Sequence, residues 1–173
     1  QDDLRERGAQ DGDYDVSYTT VHAAKMQGGV ALNIVPNLCE VDFEIRNLAQ
    51  DDPQKILAGI RDRADEIVAR VRDHAPEASI EISENFSYPG LDTPGTAEVV
   101  GFVKSLTGGN ATCKVAFGTE GGLFSQELSI PTVVCGPGSM MQGHKPDEFV
   151  EVSQIERCDS MLDTLLDRLE TGL

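Results

Sequence analysis

Long apolar runs are missing from this chain: no stretch approaches the roughly 18 continuous apolar residues of a membrane-crossing helix. The opening segment, Gln1–Gln10, is polar and charged, which does not read as a secretory signal. Basic residues are scarce, 14 against 30 acidic ones, and the formal net charge is −16. A surface of that sign repels phosphate backbones and anionic lipid, so it argues against nucleic-acid and membrane-surface partners; solubility is the plainest account of the charge. The four cysteines, Cys39, Cys113, Cys135 and Cys158, form no Cys-x-x-Cys pair. A zinc ribbon or a disulfide framework is therefore poorly supported, and reduced thiols in a cytoplasmic protein are expected. Cys39 and Cys135 stand in strand-like apolar runs, where a thiol behaves as a small hydrophobe. An initiator methionine is absent, and Asp2 to Arg7 reads as the end of a helix closed by Gly8, so the N-terminus is expected to be a cut or processed end.

Residues 9–17 are acidic, contain an internal glycine and read as a loop. Residues 18–26 start with β-formers and predict a strand, broken by Gly28-Gly29. From Asn37 to Arg46 the alternation is strict: Cys39, Val41, Phe43 and Ile45 face one way, and Glu40, Asp42, Glu44 and Arg46 the other. That is the pattern of a half-buried strand. Pro53 suits the first turn of a helix, and Ile56, Leu57, Ile60, Ala64, Ile67, Val68 and Val71 recur at threes and fours to about Arg72. Pro76 ends that helix, and residues 79–83 alternate again as a strand.

The order helix end, strand, strand, helix, strand matches a split βαβ sandwich with its first strand and most of its first helix removed. That first strand belongs inside the sheet, and its absence leaves unpaired backbone groups. Pro and Gly cluster at residues 88–94, which marks a domain boundary. Beyond it we expect helices near 96–106 and 123–128, strands near 112–117 and 131–135, a loop over 136–149, and a last helix carrying Ile155, Met161, Leu162, Leu165, Leu166 and Leu169. Alternating helices and short apolar strands predict a parallel or mixed α/β sheet.

Ligands gather at the carboxyl ends of strands in such sheets. Two loops fall there: Phe117-Gly118-Thr119-Glu120-Gly121-Gly122, and Gly136-Pro137-Gly138-Ser139 running on to Gly143-His144-Lys145-Pro146-Asp147-Glu148. Short glycine-rich turns are often mere connectors, whereas a histidine in a polar loop after a buried strand offers either a zinc ligand or an acid–base group. His144 is one of only three histidines; His22 sits in a strand pattern and His74 at a helix end, both ordinary structural places. A solvated loop histidine is the plain alternative for His144, and no His-x-x-x-His or carboxylate cluster accompanies it beyond Asp147 and Glu148. Arg46 reads either as a solvated charge or as a bidentate clamp for a carboxylate, and Asn37 as a turn residue.

In order, Thr20-Val21-His22, then Gly28-Gly29-x-Ala31-x-Asn33-Ile34-Val35-Pro36-Asn37, then Asp42-Phe43-Glu44-Ile45-Arg46 resemble the dimerisation, or lid, domain of the acetylornithine deacetylases, within the M20 metallopeptidases. Phe117-Gly118-Thr119-Glu120, Cys135-Gly136-Pro137-Gly138-Ser139 and His144-Lys145-Pro146-Asp147-Glu148 resemble the end of their catalytic domain. The resemblance implies an α/β fold: a partial ferredoxin-like lid domain over residues 1–90, lacking its first strand and most of its first helix, and the C-terminal part of an α/β zinc-peptidase-like catalytic domain over residues 91–173.

For activity, the resemblance implies a two-metal amidohydrolase, using zinc or cobalt with a glutamate as general base, that removes acetyl from N-acetylornithine to give ornithine and acetate, a step of arginine biosynthesis. It implies that His144 is the last metal ligand, that Arg46 and Asn33 reach the substrate carboxylate, that Gly118 and Thr119 line the pocket, and that Glu120 helps select the basic side chain. A homodimer through the lid and a small N-acyl amino acid are the implied partners. The family's other metal ligands and its base lie upstream of the lid, and nothing here replaces them. No catalytic residue is therefore assigned, and the chain alone is expected to be inactive. Two alternatives stay open: another M20 deacylase, such as a succinyl-diaminopimelate desuccinylase or an aminoacylase, or a non-catalytic ferredoxin-like dimerisation or binding module.

Overall fold

The structure, a computed structural model, describes residues 1–172. The chain divides into two compact units, Gln1–Ser87 and Tyr88–Leu173.

The first unit opens with α1 (Asp2–Arg7), whose acidic first turn and basic last turn suit the helix dipole. Arg5 pairs with Asp2 at 3.0 Å and Arg7 with Asp3, and the Gly8 N–H closes the helix on the Leu4 carbonyl. Strands β1 (Thr20–Gly28) and β2 (Cys39–Arg46) form an antiparallel hairpin, with Thr20 opposite Arg46 at the open end and Gly28 opposite Cys39 at the loop end. The register slips between Ala23 and Lys25, so Ala24 is the extra residue of a bulge. The alternation of β2 matches the expected strand, and Val21, Ala23 and Met26 of β1 stand opposite Ile45, Phe43 and Val41. Cover is uneven: Phe43 and Ile45 are half-buried while Cys39 and Val41 are exposed.

Helix α2 (Pro53–Val71) starts where the sequence predicts. Asp52 caps it, its Oδ1 accepting the Gln54 N–H at 2.9 Å, and Pro53 follows with no N–H to satisfy. Leu57 and Ala64 are buried, whereas Ile67 and Val71 near its end are exposed. A polar knot ties the hairpin's open end to the approach of α2. Thr19, fully buried, donates to Asp51 Oδ2 at 2.5 Å and accepts the Leu48 N–H at 2.9 Å; Leu48 is itself buried.

The second unit holds α3 (Glu98–Thr107), α4 (Gly121–Gln126) and α5 (Val152–Thr171). Val100 is its buried apolar residue. Helices α3 and α5 pack together: Arg168 donates to Ser105 Oγ at 2.7 Å and to the Ser105 carbonyl at 3.3 Å, with its guanidinium over the Phe102 ring. Gly108, in the left-handed region at φ 68°, ends α3 by returning its N–H to the Lys104 carbonyl. Helix α4 begins two residues earlier than the expected 123–128.

The architecture is mixed α/β, as expected, but the sheet is smaller than the periodicity predicts. Among the described residues the one sheet is the two-stranded hairpin, and residues 79–83, 112–117 and 131–135 join no ladder. The parallel or mixed sheet expected in the second unit is therefore not formed. A strand needs a continuous ladder of hydrogen bonds with a neighbour, and among the described residues no such ladder runs along these segments; Ile80, Val115 and Val134 are exposed.

Candidate functional site

The approach to His144 is built from Ser139. Its carbonyl accepts the N–H groups of Gln142 at 2.8 Å and Gly143 at 3.3 Å, and its hydroxyl accepts the Met141 N–H at 3.2 Å. This single turn delivers the chain to His144, which leaves it in the left-handed region at φ 58°. Such a conformation costs a side-chain-bearing residue about 1 kcal/mol and needs local support. Glu148 supplies it: its Oε2 accepts the His144 N–H at 3.0 Å. Asp147, between them in the fold-back, is also left-handed at φ 59°.

The His144 ring lies over Phe117, with centroids 4.1 Å apart and planes at 29°. Phe117 immediately precedes Gly118-Thr119-Glu120, so the stack joins the two loops that the sequence singles out. Stacking engages a face of the imidazole; its two nitrogens lie in the ring plane and are not consumed by it.

The glycine-rich turn is shaped by the chain itself. A Cβ on Gly118 would collide with the Tyr88 ring, and one on Gly122 with the Pro89 carbonyl. Gly121 and Gly122 are buried beneath the Tyr88–Leu91 stretch, which Gln126 also holds by donating to the Gly90 carbonyl at 3.2 Å. The close approach these glycines permit is to this stretch. The Thr119 hydroxyl accepts the Gly121 N–H at 2.8 Å and so caps the start of α4. Glu120 is exposed and stands at the N-cap position without a side-chain cap bond.

The two candidates in the first unit are not brought together within it. Arg46 closes β2 at the Thr20 end of the ladder, and Asn33 is exposed in the turn beyond the Gly28–Cys39 end. At about 3.4 Å per residue, those ends stand roughly 24 Å apart. Arg46 already grips a carboxylate: its Nε and a terminal nitrogen donate to the two oxygens of Glu44, at 2.9 and 3.4 Å. Both side chains are about half exposed, a setting in which an ion pair contributes at most about 1 kcal/mol.

Among the described residues no group of three or more His, Cys, Asp or Glu side chains is disposed to hold a metal ion. His144 fits such a centre as one imidazole ligand, its ring nitrogens left at the rim of the stack. Glu148 is engaged with the His144 backbone N–H. The remainder of a two-metal ligand set is not present in these residues. A cavity of about 560 Å3 lies elsewhere, between the Cys135–Gly138 segment and α5, and neither His144 nor the Gly118–Glu120 turn lines it. The sequence did not reveal Tyr88 as the reason for Gly118, nor roles for Phe117 and Glu148. Their signal was slight: one aromatic immediately before a Gly-Thr turn, and one acid four residues past a histidine.

Comparison with known proteins shows what the chain is similar to. Residues 1–72 match the peptidase dimerisation domain of the M20 class. The chain is 33% identical over 145 residues to an acetylornithine deacetylase of Myxococcus xanthus, covering 84% of this chain and 37% of that protein. It is 31% identical over 179 residues to the acetylornithine deacetylase of Pasteurella multocida (strain Pm70), covering 99% and 43% respectively. The Yersinia pestis acetylornithine deacetylase is 30% identical over 155 residues, covering 89% and 38%. The first 72 residues are thus similar to an M20 peptidase dimerisation domain, whose ferredoxin-like fold the helix, hairpin and helix of the first unit partly reproduce. Over most of its own length the chain is similar to acetylornithine deacetylases. It spans about two fifths of the length of the relatives it matches.

Proposed function

We propose that this chain supplies the lid and the C-terminal share of the catalytic domain to a two-metal amidohydrolase that converts N-acetylornithine and water into ornithine and acetate. The observation that carries the reading is the His144–Phe117 stack, which sets the candidate ligand beside the Gly118–Glu120 turn. The relatives, named as acetylornithine deacetylases, support the substrate.

In this reading His144 is a ligand to zinc or cobalt, and the remaining ligands and the general base come from outside these residues. Bound metal supplies Lewis acidity to amide hydrolysis. The residues of this chain bind and orient. Arg46 exchanges its exposed Glu44 partner for the substrate carboxylate, Asn33 donates to the same group, and this requires the hairpin loop or a second subunit to bring them to one place. Gly118 and Thr119 offer backbone groups to the substrate, and Glu120 faces the cationic side chain. The dimerisation-domain match supports a homodimer through the first unit. No helix among the described residues is long and apolar enough to cross a membrane, and a cytoplasmic location is part of the proposal.

A substrate panel tests the assignment. A protein of the relatives' full length carrying this chain is expected to turn over N-acetylornithine faster than N-succinyl-diaminopimelate or neutral N-acetyl amino acids. The 173-residue chain with added zinc is expected to show no turnover. Preference for the succinyl substrate would move the protein to the desuccinylases, and family-like rates from the short chain would refute the division of labour. In the longer protein Glu44→Gln should lower KM for the substrate a few-fold by releasing Arg46, and Arg46→Lys should raise it about tenfold or more.

A further inference from the structure

We propose that Phe117 and Glu148 are positioning residues for the His144 imidazole: the carboxylate fixes the backbone from which it projects, and the aromatic ring fixes its plane. Its catalytic consequence rests on the proposed function; the positioning itself does not.

Three observations converge. The backbone at His144 is left-handed at φ 58°, a conformation that a residue with a Cβ does not hold without support. The support comes from one side chain, since Glu148 Oε2 accepts the His144 N–H at 3.0 Å. That hydrogen bond leaves the imidazole free to turn about its own side-chain bonds. The remaining freedom is removed by a residue from a different loop, Phe117, whose ring centroid lies 4.1 Å from that of His144. The 29° angle between the rings sets the plane in which the imidazole nitrogens lie.

Phe117 has no atom able to bind a metal or move a proton, so any effect of its replacement on chemistry passes through its neighbours. Ligand affinity and activity depend on how a coordinating histidine is oriented, and loss of an orienting partner typically costs 10–100-fold. The usual orienting partner is a hydrogen-bond acceptor on the second ring nitrogen; here the same task falls to a ring face. The stack also couples the loops. Thr119 caps α4 and Gly118 seats Tyr88, so the position of Phe117 is fixed by the packing of the turn that follows it.

Two arms separate this proposal from the functional one. In the 173-residue chain, NMR of the three histidine rings should show the His144 ring protons shifted upfield by the Phe117 ring current, relative to those of His22 and His74. Phe117→Leu should move the His144 signals to unstacked positions while the ring signals of Phe102, which lies under Arg168 in the same unit, stay put, which shows that the fold persists; Phe117→Tyr should restore the shift. Unchanged His144 signals in Phe117→Leu would overturn the stack. In the longer protein, Phe117→Leu and Glu148→Ala should each lower kcat about 10–100-fold with little change in KM, and Phe117→Tyr and Glu148→Gln should recover most of it. Full activity in Phe117→Leu would overturn the positioning role. Full activity in His144→Ala, with the ring-current shift intact in the parent chain, would refute the proposed function and leave the stack standing.

Discussion

Gly118 and Gly122 look interchangeable in the sequence with any glycine of a loose turn, yet each is set by a specific neighbour. A side chain at Gly122 meets the Pro89 carbonyl, a backbone group that cannot step aside, whereas one at Gly101 on the exposed face of α3 meets nothing within 4 Å. Alanine should therefore have opposite effects at the two positions. Gly122→Ala is expected to destabilise the second unit by about 2 kcal/mol or more, and Gly101→Ala to stabilise it by about 0.5–1 kcal/mol. Urea denaturation of the two variants beside the parent chain checks the sign at each. The sequence marks such glycines as places of positive φ or close approach without saying to what. The neighbour lies some thirty residues away, and only folding supplies it. The same holds for Thr19 and Asp51, joined across 32 residues, and for Phe117 and His144. Residue types were legible at these positions; partners were not.

Among the elements, those that close locally were the legible ones. The hairpin pairs strands separated only by residues 29–38, and the alternation of β2 fixes which face is apolar. Helix α2 carries its own start signal and its own stripe. Asp52→Ala removes the side-chain oxygen that satisfies the Gln54 N–H, and should cost about 1 kcal/mol of stability in the first unit. Asp52→Ser should recover most of that. A loss below a few tenths in both variants, measured by thermal unfolding, would mean that the cap contributes nothing. The strands expected at 79–83, 112–117 and 131–135 follow the same periodicity logic, but among the described residues they build no ladder. Periodicity reports which face a segment would bury, whereas a strand also needs a ladder. A helix satisfies its backbone internally, which is why α3 and α5 form where expected and the intervening apolar segments do not.

For the whole molecule, much apolar surface remains uncovered. Met26, Leu32, Val35 and Phe86 are each exposed, and buried apolar side chains are few in either unit. Exposed apolar area on this scale marks surfaces that associate with something. In the proposed protein, the rest of the relatives' length and a second subunit provide that cover. Accordingly, the 173-residue chain should associate at lower concentration than the longer protein aggregates, and sedimentation velocity over a concentration series reads this directly. The acidic surface, with its formal charge of −16, opposes indiscriminate clustering. The likeness to acetylornithine deacetylases was legible because several short motifs occur in the right order, although the spatial meeting of two of them at the Phe117–His144 stack was not.

His144 is the centre of the proposed site, and the most direct measurement is the turnover of N-acetylornithine by the longer protein carrying His144→Ala. If this imidazole is one ligand of the hydrolytic centre, kcat/KM falls about 100-fold or more while the variant still unfolds cooperatively at the parent's temperature. Turnover within a few-fold of the parent would contradict the assignment of His144 and of the site built around it.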